Sequence, residues 1–310
     1  MTSLLDKKLV FISGKGGVGK TTICAGLARM AAARGKRVLI CEIDTDAYMG
    51  RLFGDASIGF APSVVAPGIW ACTLKGDDCM SAFVHRFVPG RVADLILRNK
   101  VAQVFFESAP SVMEAVIFDQ ISTHCANRTP GWDMILIDLP ASGHAVTFLN
   151  VPKSMVDMVR VGELAAHMER VARLAADPTK SELILVSLPE EMAVNETLEL
   201  LEKARARVAT PVNRVVVNGV RHPEVSRQDV ADLEALAGAA EGEKRDVLER
   251  MAYGARIGAF WREQDAEAVS RLKAAPRLTV TEIPFCFAKK NDTELVRTIA
   301  GHLQATMGTP

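Results

Sequence analysis

The sequence predicts an α/β fold built on a mostly parallel, doubly wound sheet with a helical insertion. Three features predict it: β-type apolar runs recur along the chain, segments of helical period separate them, and a glycine-rich turn joins the first run to the first helix. Leu9 to Ser13 is the first short run. Residues 20 to 34 follow with Ile23, Leu27, Met30 and Ala31 at helical spacing, and Gly35 suits the helix C-terminus. Arg37 to Asp44 reads as a second buried strand, so the first two strands and their helix form a right-handed βαβ unit. Residues 54 to 68, rich in Gly, Pro and Ser, read as a loop before a short strand at Ile69 to Leu74. An apolar helical region covers roughly 77 to 126, punctuated by Pro89-Gly90 and Pro110. Trp132 to Leu139 is the next buried strand, with an aspartate near its end. Two more, at Leu183 to Leu188 and Arg214 to Val220, flank a helix from about 193 to 208. Residues 225 to 274 are helical and charge-rich, Leu278 to Ile283 is a last strand, and 292 to 305 a terminal helix. The expected organisation is one domain over residues 1–310, with a helical subdomain at about 77–126 and a short helical segment at about 153–176.

Composition narrows the function classes. Of 310 residues, 49% are apolar and 24% charged, and 37 basic side chains balance 37 acidic ones. That excludes disorder, collagen and coiled coil. The zero net charge argues against a nucleic-acid footprint. No run of about 18 uncharged apolar residues exists to span a bilayer, since Met134 to Pro152 is interrupted by Asp138, Pro140, Gly143 and His144. The N-terminus lacks a signal-peptide core and carries Thr2 where myristoylation needs glycine, so a cytoplasmic location is expected. The six cysteines, at 24, 41, 72, 79, 125 and 286, form no C-x-x-C pair and no disulfide framework. Cys24 and Cys41 read as small core residues. A soft-metal site from Cys72, Cys79 and Cys125 would lack the usual ligand spacing.

Gly14-Lys15-Gly16-Gly17-Val18-Gly19-Lys20-Thr21 satisfies G-x-x-x-x-G-K-S/T at a strand-to-helix junction. Glycines let the loop turn backbone N–H groups around a phosphate, and the following helix presents its positive end to the same anion. Lys20 would reach the β- and γ-phosphates of a nucleotide. The hydroxyl of Thr21 would complete a Mg²⁺ shell, and Thr22 follows it in the same turn. The fold expected is therefore a P-loop NTPase, with a nucleoside triphosphate and Mg²⁺ as ligands. Asp44 and Asp138 each stand at the end of a strand, where a parallel sheet faces its ligand. Asp138 fits a Walker B carboxylate holding Mg²⁺ through water.

With Lys15 directly after the first glycine, the loop resembles the deviant Walker A motif of the signature-lysine ATPases, which include ParA, MinD, the nitrogenase iron protein, ArsA and the guided-entry targeting ATPases. The resemblance implies a dimer closing on two ATP molecules, with Lys15 touching the partner's nucleotide. Residues 38 to 54 are similar to the first switch of the ArsA and guided-entry branch. The similarity puts Asp44 on the aspartate that orients or deprotonates the attacking water. The family's Asp-Pro-Ala-His becomes Asp44-Thr45-Asp46-Ala47, and Asp46 is a candidate to share the role. Asp138-Leu139-Pro140-Ala141-Ser142-Gly143-His144 resembles the second switch, where Gly143 would offer its N–H to the γ-phosphate and His144 is either a switch or a turn residue. Leu188 to Thr197 is similar to a segment whose glutamate, here Glu190, approaches the partner's nucleotide. Val215-Val216-Val217-Asn218 resembles the strand whose asparagine reads adenine, an amide being able to pair two ways with that ring.

What the ATPase would act on stays open at this level. The methionine-containing segment 152 to 180, with Met155, Met158 and Met168, and the region 77 to 126, with Phe83, Phe87, Phe105 and Phe106, suit either a client groove or plain packing. The guided-entry zinc clamp has no counterpart, because C-x-x-C is absent. The resemblance implies a homodimer, or a heterodimer with a paralogue, acting on a hydrophobic client protein or a membrane transport partner. The alternatives are a weakly active regulatory subunit of such a heterodimer, suggested by the altered first switch, and a ParA- or MinD-like positioning ATPase.

Overall fold

The computed structural model describes residues 3–43, 48–100, 111–126, 131–158, 163–221, 225–286 and 292–307, with the backbone alone at 142–144, 155, 157–158 and 163–167. An eight-stranded sheet runs in the order β3-β4-β2-β5-β1-β6-β7-β8. Its strands are β1 (Leu9–Gly14), β2 (Val38–Ile43), β3 (Ser63–Ala66), β4 (Ile69–Leu74), β5 (Met134–Asp138), β6 (Ser181–Ser187), β7 (Val212–Val220) and β8 (Thr279–Pro284). All neighbours pair in parallel except β3, which runs antiparallel to β4 at one edge.

Strands buried on both faces explain the uninterrupted apolar runs. On one face Leu9, Phe11, Leu39, Cys41, Ile135 and Ile137 meet α5 (Val112–Ala126), α6 (Ser142–Met158), α8 (Glu191–Arg207) and α10 (Glu243–Lys273). On the other, Val10, Ile12, Val38, Ile40, Met134 and Leu136 pack against α1 (Lys20–Ala32) and α11 (Asp292–Met307). The remaining described α-helices are α2 (Tyr48–Leu52), α3 (Gly76–Phe87), α4 (Gly90–Arg98), α7 (Glu163–Ala176) and α9 (Arg227–Ala239).

Two readings of the sequence need correcting. Residues 54 to 68 are not wholly loop: Ser63–Ala66 adds the antiparallel edge strand, too short for its alternation to register. The helix after the second switch starts at Ser142, not near 153, and carries Pro152 in its interior. Proline lacks an N–H and disfavours the preceding turn, yet the helix runs through it. Much of the 77–126 region is core, with Met80, Val84, Ala93, Val116, Ile117, Phe118 and Ile121 buried, while Phe105 and Phe106 lie outside the described residues. Met168 and Val171 of α7 are buried as well.

Candidate nucleotide-binding site

Strand order builds the site. β5 lies between β1 and β2, so Ile12 pairs with Asp138 and Glu42 pairs with Asp138 at the C-terminal edge of the sheet. There the chain leaves β1, turns through Gly14 to Gly19, and enters α1 at Lys20. Gly14 and Gly19 are required by geometry. A Cβ on Gly14 would lie 2.2 Å from the Val186 carbonyl oxygen, and one on Gly19, whose φ is +89°, would lie 2.4 Å from Asn218 Nδ2. Val18 turns inward and is buried in the α1-side core, whereas Gly16 and Gly17 stay exposed.

Within this turn Lys20 Nζ donates to the Lys15 carbonyl at 3.0 Å, which holds the ammonium over the loop. Burial lowers the Lys20 pKa, and the charge of Asp138 opposes that shift. The Thr21 hydroxyl donates to Asp138 Oδ2 at 2.6 Å. Asp138 is buried, and its other oxygen, Oδ1, has no hydrogen-bond partner. An uncompensated buried carboxylate oxygen beside a threonine hydroxyl suits an oxygen-loving divalent cation with its waters. Thr22 stands next in α1, half-buried.

Burial pushes the Asp138 carboxyl from 3.8 up to about 6; the Glu42 charge adds to this, against the Thr21 hydroxyl and Lys20. A carboxyl raised in the folded state holds its proton longer than the unfolded chain does. Its contribution to stability is therefore fully present below the unfolded value and is lost as pH rises through about 6. Two units correspond to about 3 kcal/mol. Unfolding of the nucleotide-free protein should show this directly: Asp138→Asn gains on the wild type by up to about 3 kcal/mol between pH 4 and 7. A stability difference that stays constant across that window contradicts it.

The other residues expected at the site are placed differently from one another. Asn218 on β7 donates from Nδ2 to the Val18 carbonyl at 3.0 Å, so it is joined to the loop. Gly143 lies in the first turn of α6, past the end of β5. Glu190, exposed at the N-cap of α8, instead lines a cavity of about 420 Å³ with Arg221, Trp261 and Arg271. Asp44, with Thr45, Asp46 and Ala47, lies outside the described residues. Lys15 is half-buried and forms an ion pair at 2.7 Å with Glu196 of α8 in the same chain. Cys72 has its Sγ 3.6 Å from Cys41 Sγ, and no metal-capable group of three such ligands occurs among the described residues.

Residues 7–175, more than half of the chain, match the family model described as anion-transporting ATPase. The chain belongs to the ArsA ATPase family. ATPase BagA of Mycobacterium tuberculosis is 29% identical over 246 residues, covering 76% of this chain and 70% of that protein. ATPase GET3 of Kluyveromyces lactis is 24% identical over 260 residues, covering 71% of this chain and 74% of that protein. The arsenical pump-driving ATPase of Escherichia coli is 24% identical over 266 residues, 79% of this chain but 44% of that longer protein. These matches agree with the ArsA and guided-entry branch reached from the motifs. The ArsA family model itself ends before Glu190 and Asn218. No described helix of this ArsA-family ATPase is long and apolar enough to cross a membrane.

Two residues of the site escaped sequence reasoning, Glu42 and Glu196. Glu42 had a readable signal, a carboxylate inside an otherwise apolar buried strand, where an ion is costly. Glu196 lies in the Leu188 to Thr197 segment already singled out, but nothing in the sequence ties it to Lys15, since a glutamate on a charged helix resembles any solvated face.

Proposed function

We propose that this ArsA-family ATPase is a dimeric switch that couples binding and hydrolysis of Mg²⁺-ATP to the handling of a client. The observation that carries the reading is the Thr21–Asp138 hydrogen bond, with an unpartnered Asp138 oxygen beside it and Lys20 folded over the loop. Loop N–H groups and the α1 N-terminus hold the phosphates, and Lys20 neutralises the charge that develops on the β–γ bridge. Thr21 and Asp138, the latter through water, would hold Mg²⁺, which would supply charge neutralisation for the phosphates. Asp44 orients the attacking water and Gly143 offers its N–H to the γ-phosphate. Asn218 reads adenine from its place against the loop.

Lys15 belongs to the coupling. Its partner in this conformation, Glu196, is part-exposed, and such pairs are weak, of order 0–1 kcal/mol. A second subunit's nucleotide can therefore draw Lys15 across the interface at small cost, and Glu190 approaches from the same side. The client is a hydrophobic protein segment or a membrane transport partner. Phe87, Val92 and Leu95, exposed at the α3–α4 edge, support the first.

The purified protein should hydrolyse ATP, and Asp44→Asn should lose turnover while retaining nucleotide. That trapped form, used as bait, should retain the client that the wild type releases. Unchanged turnover in Asp44→Asn sinks the catalytic assignment. A wild-type homodimer that binds ATP without turning it over favours the regulatory subunit of a heterodimer.

A further inference from the structure

β7 ends at Val220, and just past it the Arg221 N–H donates to Asp265 Oδ2 of α10 at 2.7 Å. From there α10 descends along the sheet, burying Ala268, Val269 and Leu272 before the chain enters β8. Residues 243–264 therefore extend about 33 Å past the C-terminal edge of the sheet, the edge that carries the glycine loop. α9 lies alongside, with Arg227 at its start paired to Glu263, and in this stretch of α10 only Ala252 and Ala255 are buried. The opposite side of the helix is apolar and open. Tyr253, Ile257 and Trp261 fall at i, i+4 and i+8 in one row, with Val247, Met251 and Phe260 beside it. Even Ile257, the least open of the six, is 39% exposed. A contiguous apolar strip on a projecting helix marks a docking surface.

The strip ends at the cavity beside Trp261. Glu190, Glu191 and Glu267 line it, and none of the three makes an ion pair among the described residues. Its two arginines are engaged. Arg221 grips Asp265 and stacks 4.4 Å from the Trp261 ring centre, and Arg271 donates to Asn195 Oδ1. Arg221 and Asp265 cancel, so three carboxylates face the single charge of Arg271, and a partner's cation suits the acidic mouth. The same helix carries one. Arg250 Nε donates to the Asp246 carbonyl at 3.2 Å, and the side chain has no carboxylate partner among the described residues. Arg250 stands as far before Ile257 as Gln264 stands after it, and Tyr253 as far before it as Trp261 after. Two α10 helices crossing antiparallel at Ile257 thus bring Tyr253 of each against Trp261 of the other. They also set Arg250 opposite Gln264, one turn from Glu267. The strip is complementary to itself, as a two-fold interface requires.

We propose that α10 is a dimer contact, packing antiparallel on α10 of a second copy about Ile257 and seating Arg250 in the other copy's acidic cavity. Glu190, the N-cap of α8, lines that cavity, so the contact continues into the side of the molecule that the dimer reading already uses. The proposal rests on that reading and adds a surface to it, since two subunits could close through Lys15 without α10.

Sedimentation equilibrium of the full-length protein, with and without Mg²⁺-ATP, tests it. In whichever state the wild type is dimeric, Ile257→Glu should weaken the dimer about tenfold or more. Arg250→Glu should weaken it too, and adding Glu267→Arg should restore association, because opposite charges then meet again across the two-fold. All three positions are exposed, so the variants should melt with the wild type. A dimer that Ile257→Glu leaves intact overturns the contact while the dimer reading stands. Loss of binding to an apolar helical peptide by that same variant would then give the face to a client. A charge swap that restores nothing overturns the seating of Arg250 in the cavity. A wild type that stays monomeric in both states removes the dimer and this contact together.

Discussion

Lys20→Ala is expected to lower kcat/KM for ATP by about a thousandfold or more, with Tm close to wild type. The ammonium is held over the loop by one bond to the Lys15 carbonyl, so its removal leaves no buried network broken. The main loss falls on the transition state. Charge accumulates on the bridging and γ-oxygens, and a preorganised cation in a water-poor pocket is worth several kcal/mol there. A thousandfold corresponds to about 4 kcal/mol, which is in that range. Its pKa is lowered by burial, and the charge of Asp138 opposes that shift. Steady-state hydrolysis and a thermal melt on the same preparation separate the two effects. Turnover within tenfold of wild type would remove Lys20 from the catalytic machinery.

Gly14→Ala should fail differently, by folding as well as by binding. The added methyl would lie 2.2 Å from the Val186 carbonyl oxygen and 3.3 Å from Val18 Cγ2, and the φ of +154° is one that side chains rarely adopt. The obstacle is main chain on the neighbouring strand β6, so no rotamer change relieves it. Strain and overpacking together should cost about 3 kcal/mol or more. Relief by shifting the loop would misalign the N–H groups that meet the phosphates. The expected result is a lower Tm and no detectable ATP binding. A variant that melts with wild type and binds ATP normally contradicts this account of the loop.

Sequence made the central sheet and the loop readable because their physics is local. Apolar runs such as Val10 to Ile12 and Leu136 to Ile137 mark strands buried on both faces, and a phosphate loop needs its glycines within eight residues. The edge strand Ser63–Ala66 is not legible in the sequence because four residues carry almost no pattern. Pro152 concealed a helix that tertiary packing sustains across it. The ion pair of Lys15 with Glu196 spans 181 residues, and periodicity does not encode contacts of that kind. The pairing of Glu42 with Asp138 depends on β5 inserting beside β2, a matter of topology. The carboxylate on the otherwise apolar β2 is nevertheless visible in the sequence.

The threading of β5 between β1 and β2 has a consequence for how the protein is made. Thr21 meets Asp138 across 117 residues of chain, and Val18 meets Asn218 across 200. A chain ending before β7 carries the whole glycine loop and Asp138 yet lacks the Asn218 bond that ties the loop at Val18. A ligand that binds the folded chain with both contacts in place stabilises it by mass action. ATP in the surrounding solution acts, in effect, as an assay of completeness: molecules that have closed the sheet are held folded, and those that have not receive no such help.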